Sequence, residues 1–258
     1  MSVPRVLSIA GSDSGGGAGI QADIRTITAF GCHTMTAITA ITAQNTLGVT
    51  DVLVLEPALV VAQIDAVLSD IGVDAIKIGM IGSPAIAEAV ADRLGRADAL
   101  VPLVFDPVMI ATSGATLADG ATIAAFERLM RLATMVTPNL PELAVLAPKG
   151  QEDLVERTGA AVLVKGGHGE GVRLIDRLVC FDGSTETWID DRIRTRHTHG
   201  TGCTLASAIA AGLARRLPLR ESVSAARRYV RAAILAASGM GEGSGPLGNP
   251  VAPSGNQW

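Results

Sequence analysis

Val6-Leu7-Ser8-Ile9-Ala10 runs directly into Gly11-Ser12-Asp13-Ser14-Gly15-Gly16-Gly17-Ala18-Gly19, and a helical pattern begins at Gly19. A short apolar run, a glycine loop and a helix form the opening unit of an α/β fold. The same alternation continues along the chain. Strand-length runs fall at Val6–Ala10, Met35–Thr42, Val49–Leu55, Ala75–Ile78, Leu103–Phe105, Met135–Thr137 and Ala161–Val164. Several are apolar throughout, as strands buried on both faces are. Helical patterns lie between them, near 19–30, 57–70, 83–94, 119–132, 140–147 and 151–159. Pro57 and Pro84 suit a first helical turn. The expected architecture is a mostly parallel sheet with helices on both faces. The rhythm changes over 171–196, where Gly171–Phe181 and Thr185–Ile189 read as antiparallel strands joined through Asp182-Gly183. Two further helices are expected over 201–216 and 219–238, and then a Gly/Pro/Asn-rich tail from Gly239. No repeat and no interdomain linker interrupts residues 1–258, so one domain is expected.

The glycine loop admits three readings. Gly17-Ala18-Gly19-Ile20-Gln21-Ala22 fits the dinucleotide pattern GxGxxG/A, but the acid expected about 20 residues on is missing. The chain has no Gly-Lys-Ser/Thr and therefore no Walker P-loop. A plain tight turn does not need so many glycines together. The reading that fits is a loop whose bare backbone closes over a small ligand.

Other segments carry chemistry at the ends of expected strands. His199-Gly200-Thr201-Gly202-Cys203-Thr204 precedes the small-residue helix Leu205–Ala214. Backbone N–H groups and the helix dipole there suit an anion. A thiol at Cys203, in the first turn, is expected to have a lowered pKa; the plainer alternative is a buried structural cysteine beside a helix cap. Asp106 ends one strand, and Asn139-Leu140-Pro141-Glu142 follows another. Ligands of open α/β sheets bind at the carboxyl ends of the strands. Carboxylates placed there can hold Mg²⁺ through water, although either could simply cap a helix. Lys165, at the end of Ala161–Val164, can reach a phosphate. Gln44, at the end of Met35–Thr42, offers a donor beside an acceptor, which matches an aminopyrimidine edge; a plain polar strand end is the alternative. His33, His168, His197 and His199 form no metal-binding pattern, and His197-Thr198-His199 reads as structural rather than as a ligand pair. Trp188 and Trp258 read as packing and tail residues.

The bulk numbers narrow the partners. The chain has 258 residues, 48% of them hydrophobic, with 29 glycines and a net charge of −4. An acidic balance argues against general nucleic-acid binding and against anionic membranes. Cys32, Cys180 and Cys203 are odd in number and widely spaced, so no disulfide framework is expected, and Cys32 and Cys180 read as structural. No signal-peptide pattern and no apolar stretch of bilayer length is present, so a cytoplasmic location is expected.

Seven collinear stretches give these features a common context. They are Ala10–Asp23, Thr42–Thr46, Lys77–Met80, Asp106–Met109, Thr137–Glu142, Val164–His168 and Thr198–Thr204. Over about residues 5–248 the chain resembles the hydroxymethylpyrimidine/phosphomethylpyrimidine kinase family of the ribokinase superfamily. The resemblance implies a ribokinase-like three-layer sandwich, usually dimeric. It also implies two ATP- and Mg²⁺-dependent phosphorylations of 4-amino-5-hydroxymethyl-2-methylpyrimidine, to the monophosphate and then the diphosphate, in thiamin biosynthesis. By position, Gln44 would bind the pyrimidine in a pocket lined by Gly11, Ala18, Asp23, Thr42, Met80 and Val108. Lys165 and Asn139 would serve ATP, and Asp106 and Glu142 would organise Mg²⁺. Gly200, Thr201, Gly202 and Cys203 would form the anion hole, with Cys203 as a base for the alcohol. Three positions depart from the family: Thr112 where lysine is usual, Thr42 where valine is common, and a 245–249 tail without the usual histidine. Two other functions fit the same features less well. A pyridoxal or pyridoxine kinase would not need the amino-directed carboxamide of Gln44. A non-catalytic pyrimidine sensor would have no use for Lys165, Asp106 and Glu142.

Overall fold

The first strand, β1 (Arg5–Asp13), lies at the heart of a nine-stranded sheet in a computed structural model that describes residues 3–96, 101–111, 114–169 and 171–250. The other strands are β2 (His33–Gln44), β3 (Val49–Val54), β4 (Ala75–Ile78), β5 (Leu103–Phe105), β6 (Met135–Val136), β7 (Ala161–Val164), β8 (Arg173–Val179) and β9 (Thr185–Asp191). Their order is β3-β2-β1-β4-β5-β6-β7-β8-β9. Strands β2, β1, β4, β5, β6 and β7 run parallel, while β3, β8 and β9 are antiparallel additions at the two edges.

Helices cover both faces. On one side lie α2 (Pro57–Ala66), α3 (Pro84–Gly95), α4 (Gly120–Leu132), α5 (Leu140–Leu146) and α6 (Gln151–Thr158); on the other lie α1 (Gly19–Ala29), α7 (Thr201–Ala214) and α8 (Leu219–Leu235). Each face has its own core. Leu7, Ile9, Ile76, Ile78 and Phe105 meet the α2–α6 layer, where Phe105 and Phe126 stack edge to face at 5.1 Å. Val6, Ala75 and Val104 point the other way, onto Ile27, Ile209 and Val223. Each fully buried side chain of this size contributes about 1.5–3 kcal/mol, so both layers are firmly seated on the sheet.

The expected elements appear close to their expected bounds, with two differences. The helix expected over 57–70 is α-helical only to Ala66. Val67–Ile71 widens into a π turn closed by the Gly72 N–H on the Val67 carbonyl at 2.9 Å. The second difference is that β1 does not stop at Ala10. It continues through Gly11-Ser12 to Asp13, shifting register against β2 between Ala10 and Ser12. Thr112 and Trp258 lie outside the described residues.

Candidate active site

The chain leaves β1 toward β2 on one side and returns as β4 on the other. That reversal opens a crevice at the carboxyl ends of the strands. Gly11 lies there against Met80 from the end of β4, and a Cβ on Gly11 would meet the Met80 sulfur at 2.9 Å. Asp13, the last residue of β1, is buried and organises the glycine loop. Its carboxylate accepts from the backbone N–H groups of Gly15 (2.8 Å), Gly17 (2.9 Å) and Ala18 (2.8 Å). Burial alone would push its pKa up, but the bonds from His199 and these amides hold it below the usual carboxylate range.

Nε2 of His199 lies between Asp13 Oδ2 at 2.9 Å and the Gln44 carboxamide nitrogen at 3.1 Å. The other end of the Gln44 amide meets the Thr42 hydroxyl at 3.2 Å. Gln44 is half-buried at the end of β2. A carboxamide has two N–H donors and two lone pairs. Thr42 takes one lone pair of the oxygen, and Nε2 of His199, when it donates to Asp13, cannot also accept from Gln44, so the carboxamide keeps an acceptor and N–H donors for a ligand edge.

The second glycine loop closes on the first. Gly200 adopts φ 85° and caps α7. A Cβ on it would lie 1.9 Å from the Gly17 carbonyl oxygen, so only glycine fits there. Gly202 follows in the first turn, and a Cβ on it would lie 3.4 Å from both Asp106 Oδ2 and Lys165 Nζ. Cys203 is half-buried. Its thiol is not acidified. Burial pushes it up to about 11, against the opposing pull of Lys77 and the Gly19 N–H. The expectation of a lowered pKa, drawn from the helix N-terminus alone, is thereby corrected: at this depth the desolvation cost of a thiolate outweighs the helix end.

Lys165, Asp106 and Glu142 converge from the ends of β7, β5 and β6. Lys165 Nζ is 2.6 Å from Asp106 Oδ1 and 3.9 Å from Glu142 Oε2. Thr137 Oγ1 donates to Asp106 Oδ1 at 3.0 Å. Burial opposes the charge on Lys165, but Asp106 and Glu142 raise its pKa, so the ammonium persists. Burial raises the pKa of Glu142, with Lys165 opposing. Glu142 does two jobs. It completes a capping box with Asn139 at the start of α5, with both bonds at 2.8 Å, and it faces Lys165. Among the described residues no three-residue cluster of His, Cys, Asp and Glu could hold a metal. Two carboxylates nonetheless suit Mg²⁺, which binds through one or two carboxylates, water and substrate phosphates.

A model of the family described as phosphomethylpyrimidine kinase matches residues 13–248. The chain belongs to that family. The hydroxymethylpyrimidine/phosphomethylpyrimidine kinase of Rhizobium meliloti is 51% identical over 93% of this chain and 95% of its own. The phosphomethylpyrimidine kinase of Clostridium difficile superposes with a TM-score of 0.78 at 37% identity, covering 90% of this chain and 99% of that one. A pyridoxal kinase from Staphylococcus aureus, solved with ADP, superposes at 0.87 with 31% identity, covering 97% of this chain and 95% of that one. The mostly parallel three-layer sandwich is thus the kinase fold of these neighbours.

Within this kinase, most of the residues picked from sequence lie near the carboxyl ends of the strands. Gln44, Thr42, Gly11, Met80 and Ala18 gather at the ends of β1, β2 and β4. Val108, half-buried, follows Asp106, whose carbonyl accepts its N–H at 2.8 Å. Asp23 is different. It was expected on the pocket wall, but it is fully buried and closed off below. Its carboxylate takes Lys77 Nζ at 3.0 and 2.8 Å, Ser8 Oγ at 2.5 Å and Ser207 Oγ at 2.7 Å. Two residues of the site were not singled out from sequence. Asp13 stands within the glycine loop and His199 opens the second glycine motif, but neither was given a role of its own, and His199 was read as structural. Their contact spans 186 positions and leaves no periodic trace.

Proposed function

We propose that this kinase transfers the γ-phosphoryl group of ATP to 4-amino-5-hydroxymethyl-2-methylpyrimidine and then to the resulting monophosphate, as a single cytoplasmic domain. The names of its relatives support the substrate, and the ADP-bound fold neighbour supports the nucleotide. The observation that carries the reading is the position of Gly202. The first turn of α7 touches Asp106 and Lys165 on one side, and its neighbour Gly200 touches the Gly17 loop on the other. An acceptor held at Gln44 and a phosphate held at Lys165 would therefore meet at one helix N-terminus.

Phosphoryl transfer asks mainly for positioning and charge neutralisation. In the first step the hydroxymethyl oxygen forms a bond to the γ-phosphorus, the bond from that phosphorus to the β–γ bridging oxygen breaks, and ADP leaves with the electron pair. The N–H groups of Gly202 and Cys203 would take up charge on the equatorial oxygens. Lys165 would screen the β- and γ-phosphates. Asp106 and Glu142 would hold Mg²⁺, which supplies further neutralisation when bound. The alcohol must also lose a proton, whereas the monophosphate is already anionic. With the thiol near 11, only about one Cys203 in 10⁴ is thiolate at pH 7. A base role for Cys203 therefore predicts a first step that accelerates from pH 7 to 9 and a second step that does not.

The test is an ATP-consumption assay with the alcohol, its monophosphate and pyridoxine in parallel, for the wild type and Cys203→Ala. Loss of a base costs ~10²–10⁴-fold, expected here on the alcohol alone. Equal losses on both acceptors would assign Cys203 to shaping the anion hole. Preferential turnover of pyridoxine would transfer the kinase to the pyridoxal group. A homodimer is also part of this reading. Val52, Leu53 and Val54 on β3 and Ile41 beside it expose apolar surface along a sheet edge, which isolated proteins usually shield. A monomer in sedimentation velocity would refute it.

A further inference from the structure

The loop after β7 contains glycine at 166, 167, 169 and 171. A loop this rich in glycine has no side chains to fix its peptides. Two of its N–H groups are spent inside the protein, that of Gly166 on Asp176 and that of Gly169 on the Gly166 carbonyl at 3.0 Å, so what remains to be fixed from outside is its row of carbonyl oxygens. A single side chain gathers those carbonyls. Arg192, just past β9, donates Nη1–H to Gly167 O at 2.7 Å, Nη2–H to Gly169 O at 2.8 Å and Gly166 O at 3.3 Å, and Nε–H to Gly171 O at 3.1 Å. A guanidinium has five N–H donors in a planar fork, and four of them are spent on this loop.

The fork is itself anchored. The Arg192 N–H donates to Val172 O at 2.8 Å, which closes the base of the β8–β9 hairpin. The Gly166 peptide is held from its other side by Asp176 on β8, whose Oδ1 accepts the Gly166 N–H at 2.8 Å. Asp176 is fixed in turn by buried Arg227 of α8 at 2.7 Å. A Cβ at Gly166 would lie 2.0 Å from the Ile175 carbonyl oxygen, so the loop packs directly on the hairpin.

We propose that Arg192 is the positioning residue of the nucleotide side of the site. It fixes the backbone that follows Lys165, and so the placement of that lysine, and sets ATP affinity without touching the acceptor pocket. This rests on the reading that Lys165 faces the ATP phosphates. The hairpin of β8 and β9 then has a function: it is the frame on which the loop after Lys165 is held.

Arg192→Lys is the variant to make. It keeps the charge, but a lysine ammonium is a compact donor that cannot span four carbonyls. ADP titrated calorimetrically should bind about tenfold more weakly, a loss of about 1.4 kcal/mol. KM for ATP should rise alongside, while KM for the pyrimidine alcohol stays within twofold of wild type. Hydrogen exchange over 165–171 should accelerate. Equal rises in both KM values, or unchanged ADP affinity, would overturn the proposal. Lys165→Met separates the two layers. If it too leaves ADP binding unchanged, the ATP reading has failed; if it weakens ADP while Arg192→Lys does not, only the positioning role has failed. Were Arg192→Lys to unfold, the wild type still decides. Its Arg192 Nε–H resonance should exchange slowly and move on adding ADP, and a fast-exchanging resonance indifferent to ADP would overturn the role.

Discussion

Two lysines at strand ends of this kinase hold carboxylates in opposite ways. Lys77 and Asp23 have no exposed side-chain surface. Burial alone would push the Lys77 pKa down, but Asp23, helped by Cys203 and Asp106, more than reverses that. Ser8, beside Lys77 in the register of β1 and β4, and Ser207 of α7 fill the remaining acceptor sites of Asp23. Lys165 has nearly the same ingredients, with Asp106, Glu142 and Thr137, but its side chain remains 14% exposed and opens onto the first turn of α7. A cluster whose lone pairs are all taken can only hold the fold together. One left open on one side can exchange its internal partners for a phosphate and a cation. The difference lies in saturation and access, not in residue type.

Lys77→Met probes the closed cluster most severely. Removing one partner of a buried pair costs about 3–5 kcal/mol, and urea denaturation should show that loss. Lys165→Met should instead lower kcat by ~10²–10³-fold, with a smaller stability loss, because the lysine is itself partly exposed and water can take its place beside Asp106. Equal destabilisation by both would erase the distinction. On the acceptor side, Gln44→Ala should raise Kd for the pyrimidine by the value of a hydrogen-bonding pair, about 1–3 kcal/mol, with ATP affinity almost unchanged. An unaltered pyrimidine Kd in a direct titration would remove Gln44 from recognition. The mildest test is Glu142→Gln. Glutamine can still complete the capping box, so the change isolates the charge. A several-fold higher Mg²⁺ concentration for half-maximal activity is expected, together with Asp106→Asn in the same direction. Unchanged Mg²⁺ dependence in both would leave these carboxylates as caps and ion-pair partners only.

Much of this was legible beforehand. Runs such as Ala75–Ile78 and Ala161–Val164 are buried along their whole length, and such runs announce central parallel strands without ambiguity. The polar residues at their carboxyl ends are the ones from which the proposed site is built. What stayed hidden depends on partners far along the chain. The family resemblance implied a pocket position for Asp23; only the pairing of Ser8 with Lys77, and Ser207 arriving on α7, show it closed over. The pKa of Cys203 went the wrong way for a similar reason. Helix position is readable locally, but depth is not. The His199–Asp13 contact joins residues whose sequence neighbourhoods say nothing of each other. The π turn after Ala66 lies at the end of an otherwise regular helical pattern and has no residue signal besides the following Gly72.

The seating of Gly200 on the Gly17 carbonyl carries a consequence for how the molecule is made. Roughly 180 residues separate the two loops, and a ribosome adding about 5–20 residues per second needs some 10–40 s to deliver the second after the first. Throughout that interval β1 can gain its neighbours β2 and β4, yet the glycine loop has nothing to close against, and Asp13 lacks its imidazole partner. Catalytic competence is therefore a late event in the life of each nascent chain, arriving only with α7.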